Sequence, residues 1–316
     1  MIEPALLVAA RSGDGDAFRE LVAPHLPALH LHCYRMLGSY HDAEEAMQEV
    51  LLRAWRHLDG FEARAPLRHW LYRIATTTSL KIIDARARRP GTVAEINYLE
   101  PYPDRLLDAL PAGADPAAVA ERRESVSLAF VAALQLLPAT QRAAVILRDV
   151  LAWRAGEVAA LLETSVAAVN SALQRARVTL RAALPEGARR PLDAEDRRVL
   201  ARFVDAWHRR DVSGLAMLLR DDVELRMPPV ELAFHGRDAV LGFFTTVPAG
   251  GAFEQMRLVI TAANGQPAVA AFDAGPDGPQ PYGVMVFELI DGAIATITGF
   301  PTVADPLLDQ AFALRP

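Results

Sequence analysis

The stretch from Leu137 to Leu180, LPATQRAAVILRDVLAWRAGEVAALLETSVAAVNSALQRARVTL, constrains the fold of this chain more than any other. Glu157 to Leu162 spaces its apolar residues for one short helix. Thr164 and Ser165 supply hydroxyls that can cap a second helix, with Ser165 the better placed. That second helix carries Val166, Val169 and Leu173 at offsets of three and four, a spacing that predicts an inward face. Asn170, Ser171, Gln174, Arg175 and Arg177 are left outward. Two short helices joined by a tight turn predict a helix-turn-helix whose second helix suits a DNA major groove. Amides pair with adenine edges and guanidiniums with guanine or phosphate. An ordinary helical hairpin has the same apolar spacing and stays open as an alternative.

The charge distribution points the same way. The 316 residues carry a net charge of −6, yet the positive charge is segregated. Residues 64–90 hold Arg64, Arg68, Arg73, Lys81, Arg86, Arg88 and Arg89 against Asp84 alone. Residues 168–190 hold five arginines against Glu186. Two basic clusters in an acidic chain predict two phosphate-facing surfaces, or else two solvated helix faces. With 52% hydrophobic residues and four tryptophans, the chain has room for two or three packed domains. No run approaches the roughly 20 apolar residues of a membrane helix, and the start lacks the features of a secretion signal. Cys33 is the only cysteine, which excludes an intramolecular disulfide. His30, His32 and Cys33 are too few on one helical face for a zinc site, so no metal and no cofactor are expected, and the cytoplasm is the expected compartment.

Four amphipathic helices are readable before residue 90. Asp14 and Asp16 offer caps for the first, and a second runs from about Ala28 to Leu37 with Gly38 as its left-handed stop. Asp42 is the expected cap of a third. It turns Ala46, Met47, Val50, Leu51, Ala54 and Trp55 inward and Glu44, Glu45, Gln48, Glu49, Arg53 and Arg56 outward. Beyond it, Phe61, Trp70 and Tyr72 lie among the cations of residues 64–89, a mixture suited to single-stranded nucleic acid. Trp70 as plain core is the alternative.

The phrases HCYRMLGSYHDAEEAMQEVLLRAW and APLRHWLYRIATTTSLKIIDARARR resemble region two of extracytoplasmic-function sigma factors, and TSVAAVNSALQRAR resembles their region four. The resemblance implies two all-α helical modules that bind core RNA polymerase at its β′ clamp and β flap. It assigns the clamp contact to Asp42, Glu45, Gln48, Glu49, Arg53 and Trp55. It assigns promoter melting to Phe61, Arg64, Arg68, Trp70, Tyr72, Arg73, Lys81, Arg86, Arg88 and Arg89. Upstream promoter DNA would be read by Asn170, Ser171, Gln174, Arg175 and Arg177. Two departures stand out: Thr76-Thr77-Thr78-Ser79-Leu80-Lys81 replaces a common Asn and Leu-Asp pattern, and Glu163 occupies a turn position where Gly is usual.

Residues 91–118 read as a linker, but Tyr98, Leu99, Tyr102, Leu106 and Leu107 make it too apolar for a free tether and are expected to dock on a folded domain. From about Pro191 helices give way to β-rich runs, with Asn264-Gly265 and Asp291-Gly292 as turns. With WHRRDVSGLAMLLRDDVELRMPP and FHGRDAVLGFF, this part resembles SnoaL-like members of the NTF2-like superfamily, implying an α+β cone with a pocket. Pocket candidates are Trp207, Asp222, Met227, Phe234, His235, Phe244 and Tyr282, with Asp238 a further acid. The expected organisation is residues 1–90, the linker 91–118, residues 119–185 and the cone 186–316. The expected role is an initiation factor modulated by its cone, which inhibits or assists and holds a small ligand. A conventional repressor, and an enzyme or small-ligand sensor with a DNA-binding appendage, are the alternatives.

Overall fold

A computed structural model describes residues 4–62, 65–88, 99–110, 123–184, 194–228, 232–275, 278–301 and 312. The chain divides into two units, the first drawn from Met1–Ile96, Leu106–Pro111 and Val131–Ala183, the second from Asn97–Arg105, Ala112–Phe130 and Leu184–Pro316.

The helical unit begins with α1 (Pro4–Arg11), α2 (Gly15–Val22), α3 (Leu26–Leu37), α4 (Tyr40–Arg56) and α5 (Leu67–Ala87). Asp14 caps α2 by accepting from the N–H groups of Asp16 and Ala17, and Gly38 ends α3 at φ 78°. Asp42 does not cap α4 as expected. Ser39 does, its hydroxyl accepting the Asp42 N–H at 3.0 Å. α3, α4 and α5 pack mutually, burying Leu29, Met36, Val50 and Leu71. In this core His32 Nε2 lies 2.9 Å from the Thr76 hydroxyl, and burial lowers its pKa to about 3, which keeps it neutral. Burial likewise pushes the Cys33 thiol up to about 12.

After α6 (Asp104–Asp108) and α7 (Leu128–Gln135) come α8 (Ala139–Val145), α9 (Ala155–Leu161) and α10 (Val166–Ala183). α8 packs on α3, α5 and α10. The buried Arg142 guanidinium donates to the carbonyls of Met36, Gln135 and Leu137, tying α8 to the end of α3. Ser165 accepts the Ala168 N–H at 3.1 Å at the start of α10, and Glu163 holds the preceding turn at φ 53°. A side chain there costs about 1 kcal/mol relative to glycine, which this fold accommodates.

The second unit is an α+β cone. α11 (Ala194–His208), α12 (Val212–Leu218) and α13 (Arg237–Thr246) accompany β1 (Leu219–Arg226), β2 (Ala233–His235), β3 (Arg257–Ala263), β4 (Gln266–Gly275), β5 (Gly278–Ile290) and β6 (Ala293–Pro301). The sheet order is β2-β1-β6-β5-β4-β3, antiparallel except for the parallel β1–β6 pair. Asn264-Gly265 and Asp291-Gly292 turn two hairpins with positive φ at both residues, as two-residue turns of right-handed twist require. Phe203, Trp207, Phe244, Phe253 and Phe287 form an aromatic core between helices and sheet.

Residues 99–105 belong to this unit, as do 123–130. The Asn264 N–H donates to the Tyr102 carbonyl at 2.8 Å, and Pro103 bridges Ala263 as a short antiparallel strand contact. The Gly265 N–H donates to Asp104 Oδ1 at 2.7 Å, and Gln266 Oε1 accepts the Leu128 N–H at 2.9 Å. The docked part of the connector is thus Tyr102, with Leu99 half-buried. Leu106 and Leu107 group with the helical unit, and Tyr98 lies outside the described residues.

Candidate polymerase and promoter surfaces

On α4 the period of 3.6 leaves Glu45, Gln48, Leu52 and Trp55 exposed along one side, with Glu49 and Arg53 half-buried beside them. Asp42 does not join this face. Its side chain is 6% exposed and engaged by Arg86, whose own side chain stays 43% exposed, so Asp42 alone is turned away from the surface. Trp55 is 36% exposed and stands edge-on to Phe18, its ring centroid 5.0 Å away. Leu52, 49% exposed, was not expected from the sequence, because leucine in an amphipathic helix reads as core.

Beyond α4, Arg68, Arg73, Lys81 and Arg88 are exposed, whereas Arg64 and Arg89 lie outside the described residues. Phe61 and Tyr72 are buried, contrary to a free stacking surface. Phe61 packs on the half-buried Trp70 at 5.3 Å, and the Tyr72 ring lies between His32 and Trp153. The covering element is the loop before α9. Trp153 stacks on His69 at 4.3 Å with the rings 21° apart, and Arg73 pairs with Glu163 at 3.2 Å. A cavity of about 320 Å³ remains among Phe61, Trp70, Arg73, Trp153 and Leu161. α5 and the helices of residues 155–183 therefore share a contact within one unit.

α10 presents Asn170, Ser171, Gln174, Arg175 and Arg177 outward and buries Val169, Leu173, Ala176 and Leu180. Val166, expected inward, is 44% exposed because it sits in the first turn, ahead of the α9 contact. Arg177 is engaged by both oxygens of Asp149, at 2.6 and 2.9 Å, which holds its pKa above the ordinary arginine value.

In the cone, Trp207, Met227, Phe244 and Tyr282 line a cavity of about 60 Å³. Phe234 packs on the core outside it, against Phe243 at 4.8 Å. Asp222 is 71% exposed and paired with Arg220, and His235 is 73% exposed, 3.7 Å from Glu224. Both sit on outward positions of β1 and β2, so the strand alternation that put Phe234 inward turns them out. Among the described lining residues Tyr282 is the only titratable one.

Sigma-70 region 2 matches residues 21–89, Sigma-70 region 4 residues 127–180, and the SnoaL-like domain residues 200–297. The ECF RNA polymerase sigma factor SigG of Mycobacterium tuberculosis is 39% identical over 309 residues, which cover 92% of this chain and 82% of the relative. This chain belongs to the ECF sigma factor family. SigW of Bacillus subtilis is 30% identical over 181 residues, covering 54% of this chain and 90% of that sigma factor. The crystal structure of Mycobacterium tuberculosis SigJ superposes with a TM-score of 0.62 at 24% identity, covering 93% of this chain and 98% of that one, a likeness of fold. As an ECF sigma factor, the chain is a promoter-directing polymerase subunit, a non-catalytic transcription factor with a SnoaL-like domain. No helix among the described residues is long and apolar enough to cross a membrane.

Proposed function

We propose that this ECF sigma factor engages the β′ clamp through the α4 face of Glu45, Gln48, Leu52 and Trp55, flanked by Glu49 and Arg53, while residues 119–185 meet the β flap. Arg68, Arg73, Lys81 and Arg88 supply phosphate contacts for the melted strand, and Asn170, Ser171, Gln174 and Arg175 read the upstream element. Phe61, Trp70 and Tyr72 act on bases only once Trp153 has withdrawn from His69. The protein works in the cytoplasm, where its polymerase is.

The cone modulates this activity through the connector and serves as receptor for a small ligand. One observation carries the first half of that reading: the chain between the two DNA-facing modules is fastened to the β3–β4 hairpin tip through the backbone of Tyr102 and the carboxylate of Asp104. Shortening or releasing the free length of a connector changes the effective concentration of the second module at its site.

The test is in vitro transcription with core bacterial polymerase on sheared host genomic DNA, with transcript starts sequenced. Wild-type protein, an Asn264→Ala variant and a chain ending near Pro185 are compared. Discrete starts sharing an upstream motif are expected, with yields that differ between wild type and Asn264→Ala and so give the sign of modulation. Equal yields from all three would reject modulation by the cone, and an absence of starts would reject the initiation role.

A further inference from the structure

The cone carries a charge pattern that the reading above does not use. Acidic residues outnumber basic ones across residues 194–301, and most of the arginines there are neutralised. Arg209 pairs with Asp205, Arg210 with Glu254, Arg220 with Asp222, Arg226 with Glu224 and Arg237 with Asp221. The first half of α11 breaks this rule. Arg197, Arg198 and Arg202 are exposed there, and none has a carboxylate partner among the described residues. The acids of the same helix are engaged elsewhere: Asp196 is buried, Asp205 holds Arg209, and Glu195 leans toward the β5–β6 turn at Gly292. Arg257 on β3 is unpaired in the same sense, but its strand offers no second cation.

The helix fixes where these charges point. Val199, Leu200, Phe203, Ala206 and Trp207 bury one side of α11 in the core of the cone. At 3.6 residues per turn, Arg198 and Arg202 fall one turn apart on the opposite side, with Arg197 beside them. A local basic face on an otherwise acidic domain attracts a polyanion. Duplex DNA carries one negative charge per about 1.7 Å of its axis, so a patch of this size meets several phosphates at once. The chain keeps such a duplex close. α10 ends at Ala183 and α11 begins at Ala194, and the segment between them reaches at most about 40 Å. That is roughly one helical turn of DNA. A protein partner fits less well, because such interfaces centre on buried apolar anchors and α11 exposes no large apolar side chain.

We propose that α11 is an additional DNA-contacting element, with Arg197, Arg198 and Arg202 binding backbone phosphates of the duplex that flanks the α10 site. The contact adds affinity without reading bases. The proposal rests on the DNA-facing reading of α10 only for where the contact falls. Whether the contact forms is measured on DNA of arbitrary sequence, so the two readings fail separately.

The test is fluorescence anisotropy of the full-length protein with a labelled random-sequence duplex of about 40 base pairs, between about 50 and 200 mM salt. Wild type is compared with Arg197→Gln/Arg198→Gln/Arg202→Gln. Each phosphate contact adds about 0.9 to the logarithmic salt slope, so wild type should lose about 40-fold more affinity over this range than the variant. Arg197→Lys/Arg198→Lys/Arg202→Lys should keep the wild-type slope, because the contact needs charge alone. Arg220→Gln/Arg226→Gln/Arg237→Gln removes as many charges from paired positions and should keep it too. Arg175→Ala, read as lost preference for the upstream promoter sequence, tests the α10 reading on its own. A wild-type slope in the α11 glutamine variant, an equal loss in the paired-arginine variant, or a lost slope in the lysine variant overturns the proposal. So does an absence of duplex binding by wild type at the lowest salt. Weaker pull-down of core polymerase without DNA, at an unchanged duplex slope, would assign the three arginines to an acidic protein face instead.

Discussion

Asn264 Oδ1 accepts the backbone N–H of Tyr102 at 2.7 Å, while its Nδ2 donates to the Val126 carbonyl at the same distance. One amide side chain thus binds two separate chain segments to a β-hairpin tip. Asn264 is 0% exposed, so these bonds form out of water, where leaving a partner unmatched is costly.

Asn264→Ala should therefore destabilise the cone by about 2–4 kcal/mol, from orphaned backbone groups and from a β-carbon residue at positive φ lacking the asparagine side chain. Urea denaturation measures the loss, and trypsin should cut at Arg105 sooner than in wild type. Unchanged cleavage and stability would mean that the joint contributes nothing.

The stacked pair His69 and Trp153 joins α5 to the loop before α9. His69→Ala removes an aromatic contact of about 0.5–1.5 kcal/mol and should raise the population in which the two separate. Energy transfer between dyes on α4 and α10 should fall accordingly. Identical transfer efficiencies in both proteins would place the hold elsewhere.

On α10, Arg175 and Arg177 should behave differently although two residues apart. Arg175→Ala should weaken upstream recognition by about 1–3 kcal/mol if it reads a base edge. Asp149→Asn releases Arg177 from its carboxylate and should tighten DNA binding with a steeper dependence on salt. Equal salt slopes for wild type and Asp149→Asn would show that Arg177 meets no phosphate.

Leu52→Glu on the exposed α4 face should cut core polymerase affinity more than tenfold while leaving the thermal melt within a few degrees, since Leu52 contributes little to the core. A pull-down with core polymerase alone separates this from promoter effects. Wild-type affinity would move the clamp contact off this face.

His32 gives the helical unit an acid limit. The folded pKa is near 3, below the ordinary 6.5, so the unfolded chain binds the extra proton between these values. The contribution of neutral His32 is full above pH 6.5 and is lost as pH falls toward 3, at up to about 1.4 kcal/mol per pH unit. Urea midpoints between pH 7 and 5 should fall less steeply in His32→Gln. Parallel slopes would assign the acid sensitivity to other groups.

Local signals in the sequence located much of this architecture. Gly38, Ser165 and the Asn264-Gly265 turn each act within a few residues, so their roles follow from residue type and spacing alone. The outward face of α10 followed from its apolar period. What escaped depends on distant neighbours. Asp42, two residues inside α4, turns from the helix end to Arg86, 44 positions away, a partner that no local pattern signals. Asp222 and His235 looked like pocket acids and bases until strand register turned both to solvent. The exposure of Leu52 and the reach of Asn264 to Tyr102 across 162 positions have no local sign.

The hairpin-tip joint also implies an uneven tolerance to mutation. Asn264 addresses main-chain atoms of Tyr102 and Val126, which every residue type except proline at the donor supplies equally. The connector can therefore drift in sequence at Leu99 or Glu100 without losing these bonds. Asn264 has no such latitude, because only an amide side chain offers a donor and an acceptor in that span while tolerating the left-handed turn. Related chains that keep the turn asparagine should keep the attachment even where their connector sequences have become unrecognisable, and those that lose it should have to attach the connector some other way.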